Sequence, residues 1–190
     1  MARTNRKGQF GEGGKTMTPG VKQKGKAEIQ LEITNLLNQE AYFLDNRMYK
    51  EWLDLLHDDL VYKMPMRETV EGVGVSDIAT DMSFFEETKK SLTTRVNRLY
   101  TKSAWVENPA TRQRHFITNV MVDNTTDPNE YKVRSYFLFM RSRGSTIDIE
   151  QLFGERNDIV RRVEDEWKIV SRTIYPDQSV ITTMNMSMFL

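Results

Sequence analysis

Few side chains in this sequence could do chemistry, because the chain has two histidines and no cysteine. His57 stands beside Asp58 and Asp59, and His115 stands in a run of alternating residues. Two histidines and a carboxylate can build an open iron site, although histidines at a helix end or within a strand are more often structural. A general acid–base pair of His115 with Tyr62 or Asp58 is a second hypothesis. The sequence contains neither a nucleophile elbow nor a glycine-rich phosphate cradle.

Arginines are concentrated on two predicted neighbouring strands, at Arg112, Arg114, Arg134, Arg141 and Arg143. Nucleic acid could bind such a cluster. However, residues 27–190 carry 20 basic and 26 acidic side chains, a net charge of −6. Arginine forks are also frequent in protein interfaces. The acidic surroundings therefore favour a protein partner over nucleic acid.

Residues 1–26 differ in composition from the rest of the chain. They hold seven basic residues against Glu12 alone, a net charge of +6, and six of the ten glycines. A segment with so little apolar surface cannot build a core, so it is predicted to be disordered unless a partner orders it. Binding to nucleic acid is disfavoured because Phe10 is its one aromatic residue. We therefore expect a basic N-terminal arm over 1–26 and a single folded domain over 27–190.

The sequence also bears on location. No apolar run reaches the length of a membrane span, and no apolar stretch follows the basic N-terminus as in a signal peptide. The lack of cysteine excludes disulfides and is compatible with the cytoplasm. We expect a cytoplasmic protein that binds neither membranes nor nucleic acid.

Apolar residues at helical spacing predict two helices over 29–56 and a third over 85–99. The junction between the first two is predicted near Asp45 and Asn46. The residues predicted to be buried are Ile33, Leu36, Leu37, Ala41, Leu44 and Met48 in the first helix, Trp52, Leu55 and Leu56 in the second, and Phe85, Thr88, Leu92, Val96 and Leu99 in the third.

Alternating residues predict strands over 60–66, 112–123, 131–143, 147–163 and 167–175. Pro65 is expected to end the first strand, Gly154 is expected to mark a bulge, and 68–80 is predicted to be a loop. One face of the second strand is predicted to carry Arg112, Arg114, Phe116, Thr118, Val120 and Val122. Five consecutive large apolar residues at 136–140 predict that both faces of the third strand are dry. Helices followed by a meander of long strands give an α+β fold.

A series of motifs from about Leu31 onward resembles one protein family. In order, the motifs are Tyr49-x-x-Trp52-Leu53 with Asp58-Asp59, Met64-Pro65-x-Arg67, Ala104-Trp105-x-Glu107-x-Pro109, Arg112-x-Arg114-His115-Phe116-x-x-Asn119-Val120, Val133-Arg134-Ser135, Arg141-Ser142-Arg143, Gly154-Glu155-Arg156-x-Asp158, Arg161-Arg162, Trp167-Lys168-Ile169 and Asp177-Gln178. Their order and spacing are similar to those of the small (beta) subunit of the aromatic-ring-hydroxylating dioxygenases.

The resemblance implies a cone-shaped domain, in which a strongly curved, largely antiparallel sheet wraps over about three N-terminal helices, similar to nuclear transport factor 2 and scytalone dehydratase. It also implies a trimer of small subunits bound to three large (alpha) subunits. The large subunit would carry a Rieske iron–sulfur cluster and a mononuclear iron, supplied with electrons by a reductase and often a ferredoxin. The pair of subunits would add both atoms of dioxygen to an arene. The small subunit would be structural, without catalytic or metal-ligating residues of its own.

Two expectations follow for the residues of this chain. A subunit interface is predicted near Trp105, Arg112, Arg114, Tyr136 and Arg141, because aromatic and arginine side chains dominate interface hot spots. The alternative function is a stand-alone lyase or isomerase of the same cone fold, with a pocket of Tyr, His and Asp. An enzyme of that kind needs a roomy cavity with convergent polar groups, whereas a structural subunit fills the space with side chains.

Overall fold

The computed structural model describes residues 25–68, 71–72, 76–101, 111–144 and 147–190. These residues form an α+β domain, which confirms the predicted fold class. The helices are α1 (Lys26–Asp45), α2 (Tyr49–Asp54) and α3 (Lys89–Leu99). The strands are β1 (Leu56–Arg67), β2 (Ile78–Glu87), β3 (Arg112–Asn124), β4 (Glu130–Ser142), β5 (Ile149–Val163) and β6 (Glu166–Pro176).

The strands form one mixed sheet in the order β2-β1-β6-β5-β4-β3. Neighbouring strands are antiparallel except β1 and β6, which run parallel. The helices pack on one face of the sheet and enclose the core with it. We call this enclosed space the interior. The boundary between a basic arm and the folded domain at residue 26 remains a prediction, because residues 1–24 lie outside the described ranges.

The first two helices follow the predicted pattern, except that Met48 lies beyond the end of α1 and that α2 is shorter than predicted. α1 ends at Asp45 as predicted, and Arg47 turns the chain with a φ of 57°. α2 buries Trp52 and Leu53 and ends before Leu55. The prediction that Leu55 and Leu56 are helical is wrong, since the Leu55 carbonyl accepts a hydrogen bond from Ile169 N in β6. Pairing with the sheet therefore ends the helix.

The region from 60 to 88 differs most from the prediction. Pro65 does not end β1, because it lies at a shift in register with β2, where a missing N–H is tolerated. Residues 78–87 form strand β2, although 78–80 are predicted as loop and 85–87 as helix. Phe85 therefore belongs to a strand, and its ring stacks 5.5 Å from the Tyr62 ring. The third helix begins after Thr88, whose hydroxyl accepts a hydrogen bond from Ser91 N.

A bulge in β3 changes which residues face inward. Gln113 and His115 share one face, as the alternation from Arg112 predicts, and the structure buries this face. Asn119 then adopts a φ of 52°, and the pairing with β4 shifts between Thr118 and Met121. Val122 is consequently buried rather than outward beside the arginines. The predicted face is therefore correct as far as Thr118 and wrong beyond it.

Strands β4 and β5 pair without interruption along their whole length. Phe137 and Phe139 point into the core, whereas Tyr136 is exposed on the opposite face. Gly154 does not mark a bulge, since its pairing with Phe137 is regular. A Cβ at Gly154 would instead stand 2.1 Å from the Tyr175 carbonyl oxygen. Glycine is required here because β6 approaches so closely.

After β6, residues 177–190 return to the interior as an irregular tail. Its last residues, Met188, Phe189 and Leu190, are buried in the hydrophobic core. We call these three residues the tail anchor. The sequence offers no periodic signal for this segment and predicts no helix or strand in it. Among the described residues, no helix is long and apolar enough to cross a membrane.

Candidate subunit interface and the filled interior

The outward face of strands β3, β4 and β5 carries a row of large apolar side chains. Phe116 pairs with Leu138, and Leu138 pairs with Phe153, so the three lie side by side across the sheet. Phe116 is 53% exposed and Phe153 is 41% exposed. We call Phe116, Leu138 and Phe153 the outer row. A contiguous exposed apolar patch of this kind is typical of a surface that contacts another protein.

Polar and amphipathic residues flank the outer row on both sides. Arg114 pairs with Met140 on one side, and Thr118 pairs with Tyr136 on the other. Near Arg112, Arg114 and Ile149 the face holds a groove of about 290 Å³. A wider groove of about 910 Å³ continues from Tyr136 and Phe153 across β6 and β1. Apolar centres with arginine and tyrosine around them match the composition of protein interfaces.

Three of the five predicted interface residues lie on this face. Arg112 and Arg114 are exposed, and Tyr136 is 41% exposed. Trp105 lies outside the described residues. Arg141 faces inward and is 2% exposed. That these residues contact another subunit remains a prediction.

Arg141 has partners within its own chain. Its Nε donates to Glu150 Oε2 at 2.7 Å, Nη1 donates to Ser187 Oγ at 3.0 Å, and Nη2 donates to the Asn185 carbonyl at 3.1 Å. The alternation of β4 accounts for this, because 137, 139 and 141 share the inward face. Arg141 therefore fastens the tail to the sheet.

The interior contains a cluster of buried ion pairs centred on Glu40. Arg172 donates to the two Glu40 oxygens at 2.6 and 2.8 Å and to the two Asp158 oxygens at 2.9 and 2.8 Å. Trp52 Nε1 donates to Glu40 at 3.1 Å, and Arg156 lies 3.5 Å from it. These four charged residues are each about 1% exposed or less. Such a cluster is stable only when its charges are fully paired.

The pKa values in the cluster reflect this pairing. Burial would raise the pKa of Glu40, but Arg172 and Arg156, with hydrogen bonds from Arg172 and Trp52, bring it below its ordinary value of 4.5. Burial would lower the pKa of Arg172, but Asp158 and Glu40 raise it well above the ordinary value. Burial and the nearby Arg172 charge lower the pKa of Arg156. Glu40 is therefore held as a carboxylate.

The tail anchor fills the space beside this cluster. The Phe189 ring lies 4.5 Å from the Trp52 ring and 5.6 Å from the Tyr49 ring. Tyr62 donates its hydroxyl to the Leu190 oxygen at 2.8 Å and accepts from Leu190 N at 2.8 Å. Burial raises the pKa of Tyr62 to about 12. Tyr62 is thus a neutral hydrogen-bonding group that binds the tail.

The hypothetical acid–base pair of His115 and Tyr62 meets at the tail anchor. His115 Nδ1 lies 2.7 Å from Asp45 Oδ1, and Nε2 lies 2.9 Å from the Phe189 carbonyl oxygen. The ring therefore connects Asp45 at the end of α1 with the tail anchor. Asp58 is not part of this arrangement, because it is exposed and binds Lys89. His115 and Tyr62 are therefore buried side chains that bond to the tail.

The other histidine makes a local contact. His57 Nδ1 accepts a hydrogen bond from Asp59 N at 3.1 Å. In the described part of the chain, no three His, Asp or Glu side chains lie close enough together to hold a metal ion. The donor set that the sequence suggested for an iron site is therefore not assembled by these residues.

Sequence reasoning missed the charged cluster, although a signal for it exists. Glu40 stands at helical spacing from Leu36, Leu37 and Leu44, within the apolar stripe of α1. Arg156 and Asp158 share the inward face of β5 with Leu152 and Val160. A charged residue in an apolar stripe indicates either exposure or a buried partner. Two opposite charges in such positions would have pointed to an ion pair.

Comparisons with known proteins agree with this geometry. The family model described as "Ring hydroxylating beta subunit" matches residues 39–183. The biphenyl 2,3-dioxygenase subunit beta of Rhodococcus jostii (strain RHA1) is 36% identical over 166 residues, which cover 85% of this chain and 88% of that protein.

Solved structures give the same relationship. A structure of naphthalene 1,2-dioxygenase with indole bound in its active site matches with a TM-score of 0.77 and 26% identity, covering 88% of each chain. A structure assigned as a scytalone dehydratase from Novosphingobium aromaticivorans matches with a TM-score of 0.60 and 16% identity, over 84% of this chain and 91% of the other. The second match shows the fold alone. The chain therefore belongs to the ring-hydroxylating beta-subunit family and is the β subunit of an aromatic-ring dioxygenase, an oxidoreductase of aromatic catabolism.

Proposed function

We propose that the chain is the non-catalytic, structural small subunit of a terminal oxygenase and supports cis-dihydroxylation of an aromatic hydrocarbon by an iron-containing large subunit. Relatives named for biphenyl and naphthalene dioxygenases support an aromatic hydrocarbon as substrate. The observation that carries the proposal is the exposed outer row, because a structural subunit acts through its contact surfaces. A cytoplasmic location accompanies this role.

The residues of this chain do not fit the cofactors of such an oxygenase. A Rieske cluster needs two cysteine thiolates besides its histidines, and the chain has no cysteine. The described residues also lack a group of three potential iron ligands. The large subunit would hold the Rieske cluster and the mononuclear iron. A reductase, together with a ferredoxin, would supply its electrons.

The outer row supports a defined assembly. A β subunit of this class has an α subunit as its partner. We place three small and three large subunits in one hexamer, with the small subunits forming a trimer. An obligate interface typically buries on the order of 2,000 Å² or more. The outer row, flanked by Arg112, Arg114 and Tyr136, provides an apolar centre and a polar rim for such a contact.

Substitution in the outer row tests the assembly. Phe116→Lys and Phe153→Lys place a charge in the apolar centre, so each variant should no longer co-purify with the large subunit, while the circular dichroism of the isolated chain stays unchanged. Leu31→Lys is the matched control, since Leu31 is an exposed apolar residue of α1. Hexamers that form equally well with all three variants would rule out the outer row as the interface.

The filled interior supports the non-catalytic part of the proposal. His115→Gln and Tyr62→Phe remove the two groups that could act as acid and base. Hexamers assembled with either variant should keep their turnover per large-subunit iron. A fall of about 100-fold in intact hexamers, the scale of a lost general acid or base, would show that this chain takes part in the chemistry.

A further inference from the structure

The interior holds Phe189 in an environment that binds aromatic rings. The ring packs against the rings of Trp52 and Tyr49, and the Arg95 guanidinium stands 4.6 Å from the ring centre. Aromatic neighbours and a cation over the ring face are the groups that recognise free aromatic ligands in binding sites. None of the three side chains belongs to the tail.

The same space holds donors that converge on backbone oxygens of the tail. Tyr62 and Arg172 both donate to the Leu190 oxygen, at 2.8 and 2.9 Å. His115 Nε2 faces the Phe189 oxygen at 2.9 Å. Two neutral or cationic donors on one oxygen form a site for a carbonyl or carboxylate group. The donors come from three strands, so the sheet itself positions them.

One buried donor in this region has no partner. Arg156 is 1% exposed, and its Nη2 has no hydrogen-bond partner among the described residues. A buried guanidinium nitrogen without an acceptor is costly and rare in a finished core. A core that serves only for packing would not need it. The interior therefore contains a hydrogen-bond donor, Arg156 Nη2, that the tail does not use.

We infer that the space filled by Phe189 and Leu190 is a preformed binding site for a small aromatic molecule that carries a carbonyl or carboxylate oxygen, and that the tail anchor occupies it as a tethered ligand. The ligand's ring takes the place of Phe189, against Trp52 and Tyr49. Its oxygen takes the place of the Leu190 oxygen, at Tyr62 and Arg172. The inference does not depend on the proposed function.

A chain that ends at Ser187 tests the site directly. N-acetyl-Phe-Leu, added as a peptide, should bind this shortened chain in calorimetry, whereas N-acetyl-Ala-Leu should bind at least ~10-fold more weakly because it lacks the ring. The full-length chain should bind neither peptide, since the tether gives the tail an effective concentration on the order of millimolar. Equal binding of N-acetyl-Phe-Leu to both chains would place the peptide on the surface and overturn the proposal.

A second substitution tests the polar half of the proposed site, which consists of the hydrogen-bond donors. In the shortened chain, Tyr62→Phe keeps the ring and removes the hydroxyl, so affinity for N-acetyl-Phe-Leu should fall by about 10-fold. Thr34→Ala is the control, because the Thr34 hydroxyl bonds to Gln30 of its own helix. An unchanged affinity in the Tyr62→Phe chain would show that the donors do not recognise the ligand.

The Phe189→Ala variant of the full chain tests the aromatic half if the shortened chain does not fold. Removal of the ring leaves an apolar space of the kind that binds benzene, so saturating benzene should raise the Tm of this variant. Wild type and Met184→Ala, a change at an exposed tail residue, should show no benzene-dependent rise. A folded Phe189→Ala chain that ignores benzene, or a chain that cannot fold without this ring, would show that the anchor is ordinary core and would overturn the inference.

Discussion

Glu40 occupies a position in α1 where the helical spacing of apolar residues would place a leucine. Its carboxylate is buried against Arg172 and lies near Arg156. The three residues come from α1, β5 and β6, so the ion pairs connect the longest helix to the centre of the sheet. Replacing such a cluster by apolar residues is often tolerated, but removing one partner leaves a buried charge without compensation.

The substitution Glu40→Gln should lower the free energy of unfolding by about 3–5 kcal/mol, the range for breaking a buried ion pair. Arg172 then keeps its charge with Asp158 alone. Urea unfolding followed by tryptophan fluorescence measures the change. Glu28→Gln on the exposed side of the same helix should change the value by less than about 0.5 kcal/mol. Equal effects of both substitutions would show that the Glu40 pairs contribute nothing.

Acid should weaken the fold through the same carboxylate. The pKa of Glu40 in the folded chain is below the ordinary value of 4.5, so the unfolded chain binds its proton first as the pH falls. The stabilisation by Glu40 is complete above pH 4.5 and is lost as the pH falls through the lower, folded-state pKa. The difference in unfolding free energy between wild type and Glu40→Gln should therefore be constant near neutral pH and shrink below about pH 4.5. A difference that stays constant down to pH 3 would contradict this.

Single residues explain why the sequence predicted some positions and not others. Arg112, Arg114 and Tyr136 are outward because strict alternation holds around them. Arg141 is inward for the same reason, although arginine as a residue type favours an interface. Whether an arginine lies in the interior or at an interface depends on which residues bind it. Glu150 and Asn185, which bind Arg141, are brought to it only by folding.

At the scale of elements, long segments with strong periodicity were predictable, and the irregular ones were not. α1, β4 and β6 lie where their patterns place them. β2 was missed because its alternation is weak and a glycine-containing segment precedes it. The bulge at Asn119 has no signal in the apolar pattern, and the tail has no periodicity. Both depend on pairing with distant residues.

The close approach of β6 to β5 at Gly154 leads to a prediction at the scale of elements. Gly154→Ala would place a Cβ 2.1 Å from the Tyr175 carbonyl oxygen and 2.9 Å from the Pro176 Cα, both of them backbone atoms. The strands must separate, so the free energy of unfolding should fall by about 1–3 kcal/mol. Gly25→Ala is the control, since a Cβ there meets nothing within 4 Å. Thermal unfolding compares the two, and an unchanged Tm for Gly154→Ala would show that the sheet adapts freely.

For the whole molecule, the motifs of the sequence predicted the fold and the family, while the order and periodicity of the predicted helices and strands predicted only an α+β domain. The interior is closed by its own tail, and the outward face of β3 to β5 remains exposed in the single chain. Residues 136–140 are predicted to be buried on both faces of the strand. This is correct for the inward face, where Phe137 and Phe139 are buried. Burial of the outward face would require a partner subunit.

The basic arm over 1–26 makes a prediction for the assembly. Its charge of +6 opposes the −6 of residues 27–190, so we expect it to contact an acidic surface of a neighbouring subunit. Exposed contacts contribute about 0–1 kcal/mol each. Deletion of 1–26 should leave the fold intact and make the hexamer dissociate at lower salt and higher protein concentration, as measured by analytical ultracentrifugation.

The outcomes of this deletion are distinct. A shortened chain that does not fold would show that the arm is part of the core. A shortened hexamer as resistant to salt and dilution as the full-length hexamer would show that the arm makes no contribution to assembly.

The parallel pairing of β1 with β6 has a consequence for biosynthesis. Val61 pairs with Ser171, and Tyr62 binds Leu190. While the ribosome makes the middle of the chain, the helices and the β1–β2 hairpin have neither their central strand nor the residues that seal their core. Contacts between such distant positions form slowly, and the exposed apolar surface of the waiting segments favours aggregation. The core around the helices and β1 is therefore completed only after β6 and residues 188–190 have been synthesised.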